Sequence, residues 1–282
     1  VEERYFKSNH TLGGKDMQAD YHMHTSFSKD AHAQPEEMIE AAIQKGLKTI
    51  CITDHMDKDV MIGTEEFIFD SESYFEKMQE MQEKYKDKIE VLIGVEIGMQ
   101  PHLAKYFKEY TSRYPFDFVL GSVHVIGGVD PYYPEFFENK TDTQAFGEML
   151  DETIQNIQLY SDYDSLGHLD YIVRYGRNRE QEYSYEKYRE QIDFILKYLI
   201  EHGKGLEVNT AGLKYGLSFA HPHPDIIKRY VELGGEIITI GSDAHKPEHV
   251  AYDFDKIKPM LRAYGVKYFT KFKCRKPFFE LI

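Results

Sequence analysis

The sequence is poor in cysteine. Cys51 and Cys274 are the only two in 282 residues, which excludes a disulfide framework and a structural zinc site built from thiolates. No apolar run approaches the ~20 residues that a membrane-spanning helix needs, and no charged-then-apolar secretory leader opens the sequence. Basic residues are in the minority, 34 Lys and Arg against 48 Asp and Glu, and the net charge of −14 sets the average surface against phosphate backbones and anionic membranes. Nucleic-acid and membrane partners are therefore not expected, and a reduced, soluble, cytoplasmic protein is. Pro-rich or Gly/Ser-rich linkers and internal repeats are also missing, which favours one domain over two. Tryptophan is absent while tyrosine reaches 22 residues, a bias that carries no functional reading by itself.

Hydrophobic residues make up 41% of the chain, ample material for a buried core. The polar opening VEERYFKSNHTLGGKD precedes Met17. Residues 1–16 are expected to be a leader outside the fold, either foreign to the natural chain or disordered, and residues 17–282 a single domain. Short β-branched runs alternate with amphipathic segments of helix length, the pattern of parallel strands joined by helical crossovers. Strands are expected over 17–24, 48–54, 89–97, 117–125, 164–170, 204–209 and 236–242, with a further candidate near 266–274. Pro35 and Gly46 bracket a helix, and Ser73 with Glu76 resembles a capping box. Phe146, Met149, Leu150, Ile154 and Ile157 mark a helix over 143–160, and Tyr188, Ile192, Ile195 and Leu199 another over 185–201. The fold class is α/β. Periodicity alone does not choose between a closed barrel and an open doubly wound sheet.

The strand ends carry the chemistry. His22 and His24 in DYHMHT, His55 in CITDH, Glu96 in IGVEIG, His124 in GSVHV, His168 in LGHLD, and Asp243 and His245 in GSDAH each end or directly follow a strand candidate. In parallel α/β architectures the carboxyl ends of the strands share one face, so these groups are expected to converge. Side chains two apart on an extended strand point the same way. His22 with His24, and Asp243 with His245 if the backbone stays extended, then make two-pronged clamps for a divalent metal. Imidazoles and carboxylates suit Zn, Mn or Fe. One strand histidine is ordinarily packed or solvated, but this set is expected to form a multinuclear site. Asp20 and Asp54 flank it, as groups that orient ligands or merely cap a helix or meet solvent. His221 and His223 bracket Pro222 at a helix start and either reach the pocket rim or serve the turn. His10, His202 and His249 read as surface positions.

The opening DYHMHTSFSKDA, then ITDH, VEIG, SVH, GHLD and SDAH resemble, in order, the motifs of the PHP (polymerase and histidinol phosphatase) metallophosphoesterases over residues 20–245. The resemblance implies a distorted seven-stranded (β/α) barrel with up to three divalent metal ions at its C-terminal mouth. It assigns His22, His24, Glu96 and Asp243 to one metal, and Glu96, His124 and His168 to a second, with Glu96 bridging. Asp30, His55 and His245 fall to a third. Some members of the family carry histidine where this chain has Asp30, and His32 lies two residues on; Asp30 is the better match. GHLDYIVRYG, LEVNTAGL, HPHP and YFTKFKCRKPFFEL are most similar to the histidinol-phosphatase branch. That branch implies hydrolysis of a small phosphate monoester, L-histidinol phosphate, by a metal-bridging hydroxide. Glu96, Asp243 and Arg174 then carry the catalysis; Arg174, with Arg177 as the weaker candidate, and His221 contact the substrate. The alternatives are a PHP phosphoesterase for a sugar phosphate, phosphodiester or phosphotyrosine, or a non-catalytic metal-binding module.

Overall fold

The computed structural model describes residues 18–282, so the leader expected over 1–16 lies outside the described residues. In chain order the first elements are β1 (Ala19–Asp20), α1 (Pro35–Gln44), β2 (Thr49–Ile52), β3 (His55–Ile62), β4 (Glu65–Phe67) and α2 (Ser71–Tyr85). There follow β5 (Glu90–Gly98), α3 (Ala104–Arg113), β6 (Phe118–Ser122), α4 (Asp142–Leu159), β7 (Ser165–Leu166) and α5 (Arg189–Glu201). The chain ends with β8 (Gly205–Asn209), α6 (Ala211–Lys214), α7 (Pro224–Glu232), β9 (Ile238–Gly241), α8 (Phe254–Ala263), β10 (Tyr268–Lys273) and β11 (Lys276–Leu281).

Seven strands run parallel in the order β1-β2-β5-β6-β7-β8-β9. The two edges then meet. Tyr21 N–H donates to the Ile240 carbonyl (2.9 Å), Asp243 N–H to that of His22 (2.8 Å) and His24 N–H to that of Ala244 (2.8 Å). The sheet is thus drawn into a distorted, nearly closed seven-stranded barrel. Every residue of β2, β6, β8 and β9 is buried, as expected for parallel strands covered on both faces. The helical stripes read from the sequence face this core: Phe146, Met149, Leu150, Ile157, Ile192, Ile195 and Leu199 are buried.

Several boundaries differ from the sequence reading. The first strand ladders over two residues, because from Tyr21 onward the backbone turns its hydrogen bonds to β9 and Ala244. β7 is equally short, and the remainder of 164–170 runs on as the segment that carries His168. The charge-rich run after Asp54, with no clean alternation, forms the hairpin β3–β4, and β3 joins β5 through His55↔Glu96. Helix α2 is capped by Asp70, whose carboxylate accepts Ser73 N–H at 2.9 Å. Asp70 precedes the helix and complements its dipole, so Ser73 lies inside the first turn and the expected Ser73/Glu76 box is not made. The run near 266–274 pairs with β11 as an antiparallel hairpin. That hairpin packs across the amino end of the barrel, where Arg275 N–H reaches the Asp117 carbonyl and Phe272 pairs with the Tyr21 hydroxyl.

Candidate metal centre

Glu96, near the end of β5, is fully buried at the centre of the carboxyl face. Its two oxygens serve different neighbours. Oε2 lies 3.2 Å from His22 Nε2, 3.5 Å from His24 Nε2 and 3.1 Å from His55 Nδ1. Oε1 lies 3.2 Å from His124 Nε2 and 3.0 Å from His168 Nε2, and accepts the Ser122 hydroxyl at 2.6 Å. Asp243 Oδ1 stands 3.4 Å from His24 Nε2, 3.8 Å from His22 Nε2 and 3.3 Å from His245 Nδ1. Asp30 Oδ2 closes the outer side, 3.0 Å from His245 Nε2 and 3.7 Å from His55 Nε2. Asp30 and His32 are both exposed, and of the two it is Asp30 whose carboxylate reaches the cluster.

His22 and His24 alternate along extended chain, and their Nε2 atoms converge to 3.1 Å. Asp243 and His245 also meet, but not as an extended clamp. Asp243 has φ 52°, in the left-handed region, so a turn brings the pair together.

Four overlapping groups hold ligand atoms within 4.8 Å of one another: His24, His55 and His245; His22, His24 and Glu96; His22, His168 and Asp243; and His55, Glu96 and His124. Imidazole nitrogens this close need a proton or a cation between them. The donor set of nitrogens and carboxylate oxygens fits zinc, manganese or iron. Electrostatics agree. Burial pushes the Glu96 and Asp243 carboxyls up, yet the surrounding histidines hold both well below the usual carboxylate range. His24 is pushed well below the usual imidazole value by burial and by neighbouring His55 and His245.

Two buried carboxylates that the sequence reading missed hold the far sides of the rings. Glu207, on β8, has Oε1 2.6 Å from His22 Nδ1, and its Oε2 accepts the His168 N–H (2.8 Å) and the Asn209 amide (3.2 Å). Asp57, on β3, has Oδ1 2.6 Å from His124 Nδ1, while its Oδ2 lies 3.2 Å from His55 Nδ1 without the alignment of a hydrogen bond. An acceptor behind a ligand imidazole fixes its tautomer and its aim. A glutamate between Leu206 and Val208 in a strand candidate was a visible signal for Glu207; Asp57 was hidden among surface-like charges.

Asp54 and Asp20 act on backbone loops rather than on imidazoles. Asp54 accepts from the N–H and hydroxyl of both Thr25 and Ser28, and Ser28 Oγ in turn takes the His55 N–H at 3.0 Å. Asp20 accepts from Ser242 N–H (3.0 Å), its hydroxyl (2.5 Å) and Ala251 N–H (2.9 Å), fixing the segment that carries Asp243.

Arg174, in the short 3-10 turn after His168, packs its guanidinium over Tyr215 (4.3 Å to the ring centroid), Tyr175 (4.8 Å) and Tyr171 (5.3 Å). It donates to the Tyr175 hydroxyl at 2.7 Å, while its Nε is buried with no hydrogen-bond partner among the described residues. Arg177 is exposed and donates to the Phe137 carbonyl at 2.9 Å. His221 is fully buried rather than at a rim. Its Nδ1 sits 2.7 Å from Asp170 Oδ1, its backbone pairs with Asn209, and its Nε2 is buried without a hydrogen-bond partner among the described residues. His223 caps α7 by accepting Asp225 N–H at 3.3 Å, the turn role. His202 is exposed, His249 is half-buried, and His10 lies outside the described residues.

A barrel whose carboxyl mouth gathers histidines and carboxylates in this order is the architecture of the PHP domain, and the model of that family matches residues 20–211; the chain belongs to the PHP domain family. It is 34% identical to a probable histidinol-phosphatase of Clostridium acetobutylicum, covering 89% of this chain and 95% of that protein. It is 32% identical to the histidinol-phosphatase of Lactococcus lactis over 87% of this chain and 91% of the relative. A crystal structure of the Lactococcus lactis histidinol phosphate phosphatase, in complex with zinc, L-histidinol and phosphate, superposes with a TM-score of 0.84 at 31% identity, covering 93% and 98% of the two chains. A Listeria monocytogenes structure at 22% identity and a TM-score of 0.73 shares the fold.

Proposed function

We propose that this protein hydrolyses L-histidinol phosphate to L-histidinol and inorganic phosphate, a step of histidine biosynthesis in the cytoplasm, with divalent metal ions held at the barrel mouth. The observation that carries the reading is a dense histidine–carboxylate cluster with the half-buried Arg174 near enough for the Asp243 charge to act on it, a cation that has no carboxylate at ion-pair distance among the described residues. The likeness to a phosphatase solved with zinc, histidinol and phosphate gives the substrate class. Bound ions supply an activated water and positive charge against the phosphoryl oxygens.

The chain's own residues would hold three ions as follows: His22, His24, Glu96 and Asp243 around one; Glu96, His124 and His168 around the second; Asp30, His55 and His245 around the third. Glu96 presents one oxygen to His22 and His24 and the other to His124 and His168, so it would serve both of the first two groups. Arg174 offers a rigid fork to two phosphoryl oxygens and keeps its orientation through the three tyrosines. Glu207 and Asp57 keep the ligand imidazoles in the tautomers that face inward.

The test is metal analysis of the purified protein together with a substrate panel. Histidinol phosphate is expected to exceed a sugar phosphate, phosphotyrosine and a phosphodiester in kcat/KM by on the order of 10² or more. Comparable turnover of any of the others, or none of histidinol phosphate by metal-loaded protein, overturns the reading.

A further inference from the structure

The hairpin β10–β11 stands on its β10 edge. Residues from both faces of β10, Phe269 on one and Thr270 with Phe272 on the other, are buried, and Phe272 packs on Phe118 of the barrel with ring centroids 5.3 Å apart. Every residue of β11 is exposed. β11 is therefore the outermost strand at the amino end of the barrel, and no strand among the described residues pairs with its far edge. Phe278 (51% exposed), Phe279 (43%) and Leu281 (62%) line it. Apolar side chains along an open strand edge form a template for another strand.

The register shows which backbone groups that edge offers. Ile282 N–H donates to the Lys267 carbonyl at 3.1 Å, and the ladder runs unbroken from Tyr268↔Leu281 to Lys273↔Lys276, so Lys276, Phe278 and Glu280 turn their N–H and C=O groups to β10. Pro277, Phe279 and Leu281 turn theirs outward. Pro277, which has no N–H to give, sits where β10 asks for none, and its carbonyl is open. The side chains of Lys276, Phe278 and Glu280 share one face. Lys271, Lys273 and Arg275 are matched by Glu280, Glu90 and Asp164, whereas Lys276 has no ion-pair partner among the described residues.

An antiparallel strand of the same sequence complements this edge about Phe278. Lys276 of each copy then faces Glu280 of the other, the two Phe278 rings meet at the axis, and each Phe279 N–H meets a Pro277 carbonyl. Centring on Phe279 would put Glu280 opposite Phe278, and centring on Glu280 would set two carboxylates face to face. We propose that two copies of this chain pair through β11 in the register centred on Phe278. The hairpins become a four-stranded sheet between the amino ends of two barrels, and both metal centres stay open at the far ends.

Sedimentation equilibrium of the full chain tests this, and a dimer is expected at about 100 µM. Lys276→Glu leaves the Lys271–Glu280 pair in place and sets like charges opposite each other twice, so it should weaken association at least about 10-fold. Adding Glu280→Lys restores opposite charges, and the double variant should return to within about 3-fold of the parent. Phe279→Pro removes the outward N–H without taking a bond from β10, and it too should weaken the dimer. Far-UV circular dichroism and metal content should match the parent in each variant. Hydrogen exchange reads the same edge in the unaltered protein: the Phe279 amide should exchange more slowly as protein concentration rises. A monomer at about 100 µM, a dimer that the single variants leave within about twofold, or a double variant no better than Lys276→Glu would overturn the inference. Protection of the Phe279 amide in a monomer would overturn it as well, by assigning the edge to another segment of the same chain.

Discussion

The Glu207 carboxylate and the His22 imidazole stand 2.6 Å apart through Oε1 and Nδ1, and the other oxygen of Glu207 takes the backbone N–H of His168 at 2.8 Å. One side chain on β8 thereby fixes two residues of the cluster from behind, the ring of His22 and the backbone of His168. Glu207→Gln keeps the volume and loses the anionic acceptor. Metal affinity is expected to fall about 10-fold to 100-fold, with activity recovering in excess zinc. Metal content after dialysis, and rate against added zinc, measure this; unchanged retention of metal would show that Glu207 only packs.

The outer side of the cluster gives a second prediction. Asp30 Oδ2 lies 3.0 Å from His245 Nε2, while His32 is exposed. Asp30→Asn exchanges an anionic donor for a poor neutral one, so it is expected to lose about one metal ion and most of the rate, and His32→Ala neither. Stoichiometry by elemental analysis beside steady-state kinetics separates the two. The reverse pattern would transfer the ligand role to His32.

The convergence of the cluster was legible because strand ends in a parallel barrel share one face, so His22, Glu96, His124 and His168 are brought together by topology alone. His22 and His24 were legible as a pair for the simple reason that the period of extended chain is two. Asp243 and His245 share that spacing but meet through a left-handed turn, which the spacing rule does not describe. Groups behind the rings were harder to see. Asp57 is buried only because β3 and β4 fold a charge-rich run back onto β5, and nothing local in that run distinguishes it from solvated surface. The sequence left His221 open between the pocket rim and a turn role, and its pairing with Asn209 and Asp170, distant in sequence, draws it fully inside.

A third prediction concerns stability and pH away from the site. Arg229 on α7 grips Asp193 on α5 with two bonds, Nε to Oδ1 at 2.8 Å and Nη2 to Oδ2 at 2.7 Å, and the Tyr185 hydroxyl adds a third at 2.8 Å. The Arg229 hydrogen bonds hold the Asp193 carboxyl below its ordinary value. A depressed carboxyl contributes stability that is fully present above its unfolded value, near pH 4, and is lost as the pH falls toward the folded one. Asp193→Asn is thus expected to lower Tm by about 2 °C at pH 7, a modest change for a partly solvated pair. Between pH 5 and 3 the gap to the parent should narrow. Protonation of the metal cluster affects both proteins alike, so the difference between their melting curves isolates the pair. A gap independent of pH would assign the effect to packing.

Arg174 separates binding of phosphate from binding of metal. Its guanidinium touches tyrosines and none of the clustered histidines or carboxylates at ion-pair distance, so Arg174→Ala should keep the metals. Bound ions would share the task of holding the phosphoryl oxygens, which would limit the loss. A fall in kcat/KM on the order of 10² to 10³ is expected, about 3 to 4 kcal/mol of charge-assisted hydrogen bonding in the transition state. Arg174→Lys should recover only part, since a point charge on a flexible stem does not reproduce a planar fork. Arg177→Ala serves as the contrast, because that side chain is exposed and spends its donor on the Phe137 carbonyl; its kcat/KM should stay within about twofold of the parent, ~0.4 kcal/mol. Inorganic phosphate as product inhibitor reads the same contact directly: its affinity should fall with kcat/KM in Arg174→Ala and remain unchanged in Arg177→Ala. If Arg174→Ala instead loses metal, or leaves phosphate inhibition unaltered, the guanidinium serves the tyrosine packing and the cation that meets the phosphate lies elsewhere on the rim.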